Sequence, residues 1–307
     1  MKILKVYWSG FVTTLKRFRL ISLAYLFLLV PGLLVVFPFL SNFKSASAQF
    51  ISPGRLLTDF DYTAYSELME FYGDSIKSSL SQVSWLIIFY IFISVFITGA
   101  ILHVLNDKKQ KAKFMVFLSG GSKYFWRFLR LSIIFLVFQF LLALIIYLPF
   151  SIIVGNIFER AATEKSVFFL FLPFGFIHLL LSVYLYLISN YARFILVHNN
   201  SKKVFRAIWH ASKFVSGRLF GTYGLLFLLF ILPVLLLVGY FKFSEQVEMT
   251  TGLLILLVFL VQQFYIWLRM ATRIWALASQ FDYFLVCKEI EETVPLKEKA
   301  KGEIIDK

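Results

Sequence analysis

Six runs of about twenty apolar residues leave this chain few folds to choose from. They lie at about 20–40, 83–105, 131–154, 168–189, 219–241 and 252–274. At 1.5 Å rise per residue, such a run crosses a hydrocarbon layer of about 30 Å. Backbone groups in lipid must bond within their own segment, so the runs are predicted as helices. Their apolar character is continuous rather than alternating, which excludes the strands of a membrane barrel. With 60% hydrophobic and only 16% charged residues, the chain cannot hide that surface in a water-soluble core.

The charges between the runs give an orientation. Residues 1–19 carry Lys2, Lys5, Lys16, Arg17 and Arg19 and no acid. Alternate segments collect 25 basic and 8 acidic residues on one side and 6 basic and 9 acidic on the other. This is the positive-inside pattern, so both termini are expected on the cytoplasmic side of a bacterial inner membrane. The net charge of +14 is therefore explained by orientation. It is cut into short pieces beside helix ends, which speaks against a nucleic-acid partner.

The expected architecture is all-α: one polytopic membrane domain over residues 1–286 with six transmembrane helices, then a charged cytoplasmic tail at 287–307. Ala46-Ser47-Ala48 resembles a signal-peptidase site, but the preceding apolar run and its charged lead are both long for a signal peptide. In the outer loop 41–82, Asp59 and Asp61 are spaced to hold a cation; the reading adopted is a solvated turn with Asp61 capping a helix. The single cysteine, Cys287, excludes an internal disulfide and is read as an inert thiol.

Three segments resemble one another: "GFVTTLKRFRLISLAYLFLLVPGLL", "GGSKYFWRFLRLSIIFLVFQF" and "ASKFVSGRLFGTYGLLFLLFILP". Each is a basic, aromatic lead followed by an apolar helix, with Pro31, Pro149 and Pro233 in the outer halves. Three parallel helical-hairpin repeats with basic interfacial cytoplasmic helices are the expectation. One such helix is Ser201–Val215, whose apolar stripe is Val204, Phe205, Ile208, Ala211 and Val215. Its apolar face is expected in the acyl boundary, with Lys202, Lys203 and Arg206 meeting anionic headgroups. Residues 108–118 read similarly, with Gly120-Gly121 expected to break the helix.

The six runs contain no Asp or Glu, which disfavours ion-coupled transport through a buried carboxylate. Their polar residues are Ser94, Gln139, His178, Gln262 and Gln263 near mid-membrane. These form either a shared polar layer or separate interhelical hydrogen bonds. Arg193, Arg269 and Arg273 fall at the cytoplasmic ends of the fourth and sixth runs. They either snorkel beside Trp267 and Trp275 or form a lipid-phosphate site, to which guanidinium forks are suited. No P-loop, HExxH or GxSxG motif is present, so no catalytic residues, cofactor or metal site are assigned.

Tyr191-Ala192-Arg193-Phe194-Ile195-Leu196-Val197, with Ala207 and Ala211-Ser212, carries a resemblance. It is similar to a broad group of uncharacterised six-helix bacterial inner-membrane proteins, which includes the membrane domain attached to some glycerophosphodiester phosphodiesterases. That group often has an acidic residue and a glycine where this chain has His198-Asn199-Asn200, and no phosphodiesterase domain follows in the sequence given. The resemblance implies topology and carries no catalysis. Mitochondrial carriers share the length and the odd-helix prolines, but "PGLLVV", "PFSIIV" and "PVLLLV" lack their charged residues. The functional expectation is a non-enzymatic scaffold or accessory protein engaging anionic lipid or a membrane partner. The alternatives are a transporter or channel for a small or amphipathic solute, and a membrane enzyme acting on lipid.

Overall fold

The computed structural model describes residues 2–47, 62–107, 112–158, 164–247 and 251–305. Among the described residues every regular element is an α-helix. In chain order they are α1 (Lys2–Lys16), α2 (Phe18–Ser47), α3 (Tyr62–Asn106), α4 (Phe114–Phe158), α5 (Glu164–His198), α6 (Val204–Ser216), α7 (Leu219–Gln246) and α8 (Gly252–Ile305).

Five segments are long and apolar enough to cross a membrane: Ile87–Asn106, Phe114–Ser151, Phe171–His198, Leu219–Gln246 and Gly252–Ile290. Within α2, Phe18–Leu33 is a shorter apolar stretch. The helices outlast the apolar runs. α3 and α4 have 45 residues each, about 68 Å at helical rise, so they project well beyond a hydrocarbon layer. Large side chains such as Leu136, Phe140, Phe227, Leu235, Leu256 and Phe264 face outward. That is the arrangement of helices whose solvent is lipid.

The tight core lies where α3 and α5 finish and α8 runs past them, with α1 and α6 lying against these helices. Ile97, Ile101 and Leu102 of α3, Tyr191 and Phe194 of α5, and Phe281 of α8 are essentially inaccessible there. α1 packs on α8 by burying Val6, Gly10 and Thr14. The Trp275 indole N–H donates to the Tyr7 carbonyl at 3.0 Å, and Ser9 Oγ donates to Asp282 at 2.9 Å. A Cβ at Gly10 would lie 2.7 Å from the Ser279 backbone nitrogen, so only glycine permits this approach.

Gly120 and Gly121 do not break a helix; α4 runs through them without interruption. A Cβ on Gly120 would sit 2.5 Å from His103 Cβ, and one on Gly121 2.4 Å from the Phe96 ring. The pair is a close-packing notch for α3, and small residues are used this way where helices meet in membranes. α4 begins at Phe114, whereas residues 108–111 of the expected basic lead, like Asp59 and Asp61, lie outside the described residues.

α6 corrects a second expectation. Val204, Ala207, Ala211, Phe214 and Val215 are buried against the bundle, chiefly on α5. The stripe read as lipid-facing is thus mostly protein-facing. Phe205 and Trp209 stay exposed, at 75% and 73%. At 100° per residue they form a separate aromatic face between the buried stripe and the cationic Arg206 and Lys213.

Two arginines tie the leads to the ends of neighbouring helices. Arg17 donates to the carbonyls of Val104 and, at 3.2 Å, of Asp107, where α3 ends. Burial lowers its pKa from the ordinary arginine value, and Asp107 and Asp282 oppose that shift. Arg127 donates to Asn200 Oδ1 at 3.1 Å and to the Ser201 carbonyl at 3.2 Å, beyond the end of α5. Asn200 has φ of 45°, a left-handed conformation that asparagine tolerates better than most residues. Cations near helix C-termini also oppose the negative end of the helix dipole.

Candidate functional site

Beside the core the helices leave a space between them. A cavity of about 1000 Å³ opens next to the core and is lined by α2, α3, α5, α7 and α8. Its two ends differ in chemistry. Beside the core it is polar, with Ser94 and Thr98 of α3, Asn190 and Arg193 of α5, and Thr272, Arg273 and Gln280 of α8. Away from the core it is apolar, with Pro31, Phe89, Phe230, Pro233 and Ile266.

The helical repeat explains the polar end. Arg269, Thr272, Arg273 and Gln280 fall within one arc of α8, and Asn190 and Arg193 share a face of α5. Arg273 donates through one NH2 group to Ser94 Oγ and Thr98 Oγ1, both at 2.9 Å. Arg193 donates to Asn190 Oδ1 at 3.1 Å, and Asn190 in turn donates to Gln280 Oε1 at 3.3 Å. Asn190 and Gln280 are each only 1% exposed. The result is a braced floor of neutral acceptors, with guanidinium donors left over on both helices.

Among the described residues no carboxylate lines the cavity. The ion pairs Lys77–Asp74 and Lys242–Glu245 are both strongly exposed and lie elsewhere. Three guanidiniums therefore line one cavity of a membrane-embedded bundle, with no acidic residue among the described residues of its lining. Charge in such a place costs several kcal/mol unless a counter-ion or a strong hydrogen-bond set meets it. The chemistry of this arrangement suits an anion, with guanidinium forks as its strongest donors.

The residues singled out in the sequence separate into three places. Arg193, Arg269 and Arg273 come together at the cavity, whereas Trp267 and Trp275 turn toward α1 and α2. Lys202, Lys203 and Arg206 are exposed around the start of α6. The five mid-membrane polar residues do not meet. Ser94 alone lines the cavity. Gln139 donates to Ser182, joining α4 to α5, and Tyr25 donates to Gln263 Oε1 at 2.7 Å, joining α2 to α8. Gln262 is exposed. His178 lies against Tyr147, and its Nδ1 is buried without a partner among the described residues. Among the described residues no cluster of His, Cys, Asp and Glu is arranged to hold a metal ion.

Thr98 and Thr272, inside the second and sixth apolar runs, and Asn190 and Gln280, beyond the fourth and sixth, are site residues the sequence reading passed over. Asn190 sits one residue beyond the fourth apolar run and Gln280 six beyond the sixth. A polar stripe at helical spacing, followed past the ends of the runs, marks them.

The fold is that of an all-helical, membrane-embedded protein, and the site is a cationic cavity within it. No family model, no curated protein and no solved structure matches the chain.

Proposed function

We propose that this is a six-span inner-membrane protein that binds an anionic amphiphile in its central cavity, as a scaffold or accessory protein rather than an enzyme. The observation that carries the reading is the trio Arg193, Arg269 and Arg273 facing an amphipathic cavity with no carboxylate among the described residues of its lining. An amphiphile satisfies both ends, its anion on the guanidiniums and its apolar part against Pro31, Phe230 and Pro233.

The six-span, three-repeat organisation is part of the same proposal, with α2 as the first span. It is supported by a spacing: Gly10, Gly120 and Ala211 each precede an arginine by seven residues, namely Arg17, Arg127 and Arg218. Gly10 packs on α8, Gly120 on α3, and Ala211 is buried in α6, which lies on α5. A ring of leads, each resting on the preceding hairpin, follows from that pattern. The charge bias then puts α1, α6 and the packed end at the cytoplasmic face. Kinship with the six-helix group named above is proposed on the same topology.

The test is native mass spectrometry of the full chain, purified in neutral detergent and exposed to phosphatidylglycerol. Retained lipid that disappears in Arg193→Gln and Arg273→Gln is the expected result. Equal retention by wild type and both variants excludes the cavity as the binding site. A transporter is the second reading, favoured by two prolines, Pro31 and Pro233, on cavity-lining helices, where kinks permit hinge motion.

A further inference from the structure

We infer that the anion is the terminal phosphate of a lipid phosphomonoester, inserted head-first against Arg193 and Arg273. This rests on the amphiphile reading above and narrows it to one headgroup class.

The first argument is that the polar end is blind. One turn beyond Thr98, Asn190 and Gln280 come Leu102, Phe194 and Phe284, all buried. The Phe194 and Phe281 rings pack at 5.5 Å between centroids, and Phe281 packs on Phe284 at 6.5 Å. Nothing threads past this plug. A phosphodiester carries a substituent on either side of its phosphorus, and the second substituent has no room to continue. A phosphomonoester ends at the phosphate and fits a closed pocket.

The second argument is donor placement. Arg193 reaches the pocket from α5, and Arg269 and Arg273 reach it from α8. A terminal phosphate presents three oxygens around its axis and meets donors from several sides. A carboxylate presents two in one plane, and a diester two non-bridging oxygens.

The third argument is charge. A phosphomonoester carries about −1.5 to −2 at neutral pH, whereas a diester carries a single charge. Among the described residues the cavity lining offers three cations and no acid. The dianion neutralises more of that field, and its apolar chain lies along the end formed by Pro31, Phe89 and Phe230.

The experiment uses the full chain in neutral detergent, with thermal shift and native mass spectrometry as readouts. The probes are phosphatidic acid, phosphatidylglycerol of the same acyl chains, and inorganic phosphate. Phosphatidic acid is expected to be retained at least tenfold better than phosphatidylglycerol, with the preference lost in Arg193→Gln and Arg273→Gln. Inorganic phosphate is expected to give no shift at concentrations where phosphatidic acid saturates. Equal retention of the two lipids overturns the headgroup assignment and leaves the anionic-amphiphile reading standing. A shift by inorganic phosphate equal to that by phosphatidic acid overturns the lipid part. Retention of neither lipid removes both readings.

Discussion

The guanidinium of Arg273 on α8 lies 2.9 Å from the Thr98 hydroxyl on α3, and among the described residues no carboxylate lines the cavity they share. The Thr98 hydroxyl also donates to the Ser94 carbonyl at 2.7 Å, so it holds its place when the arginine is removed. This pair separates binding from folding. Because no acidic residue among the described ones pairs with the Arg273 charge, Arg273→Met is expected to stabilise the protein in anion-free neutral detergent by about 1–3 kcal/mol. The same change removes the gain from anionic lipid. Thermal unfolding with and without lipid measures both effects. A variant that melts lower without lipid contradicts the uncompensated-charge argument.

Gly10 sets a steric limit where α1 meets α8. Gly10→Ala places a methyl group 2.7 Å from Ser279 N and 2.8 Å from Ser279 Cα. Those are backbone atoms and cannot rotate away, so a loss of about 1–3 kcal/mol is expected. Ser279→Ala does not rescue it. Gly239→Ala, where nothing lies within 4 Å, serves as the neutral control in the same melting assay.

Arg17 bonds the Val104 and Asp107 carbonyls at the end of α3. Charge-assisted hydrogen bonds contribute about 1.5–3 kcal/mol, so Arg17→Met is expected to lower stability by about that much while leaving lipid retention intact. Arg127→Met, which releases Asn200 and Ser201, follows the same pattern. Loss of lipid without loss of stability in either variant excludes a purely structural clamp.

The interhelical pairs Gln139–Ser182 and Tyr25–Gln263 are expected to matter little. Such contacts average about 0.6 kcal/mol in membrane helices, so Gln139→Leu and Gln263→Leu are each expected to shift stability by under about 1 kcal/mol. Neither should change lipid retention. A tenfold loss of retention in either variant returns these residues to the binding site.

Lys202, Lys203 and Arg206 sit on an exposed edge beside Phe205 and Trp209, away from the cavity. Interfacial cations contribute about 1 kcal/mol each on anionic membranes. Changing all three to Gln is expected to weaken copurification of loosely held anionic lipid and to leave the cavity-bound molecule in place. Native mass spectrometry at increasing activation energy distinguishes the two pools. Unchanged lipid at low activation removes α6 as a lipid contact.

Much of the fold was legible because hydrophobic length and charge act locally. The runs around 83–105, 131–154, 168–189, 219–241 and 252–274 all fall within helices long enough to cross a membrane. Gly120-Gly121 was misread because glycine lowers helix propensity, while its value here lies in contact with His103 and Phe96, which are distant in sequence. The stripe on α6 was visible, but periodicity does not say whether a face meets lipid or protein.

The sequence by itself determined that this chain forms apolar helices with cations gathered on alternate connections. Each of those properties is a sum over neighbours along the chain. Only the tertiary structure decided that Arg193, Arg269 and Arg273 share one cavity with Asn190 and Gln280, while Gln139, His178 and Gln263 stand apart. That sorting depends on how far each helix continues past its apolar run and how each is rotated about its axis. Rotation is fixed by contacts such as Gly10 on Ser279 and Gly120 on His103, between residues that lie far apart in the chain.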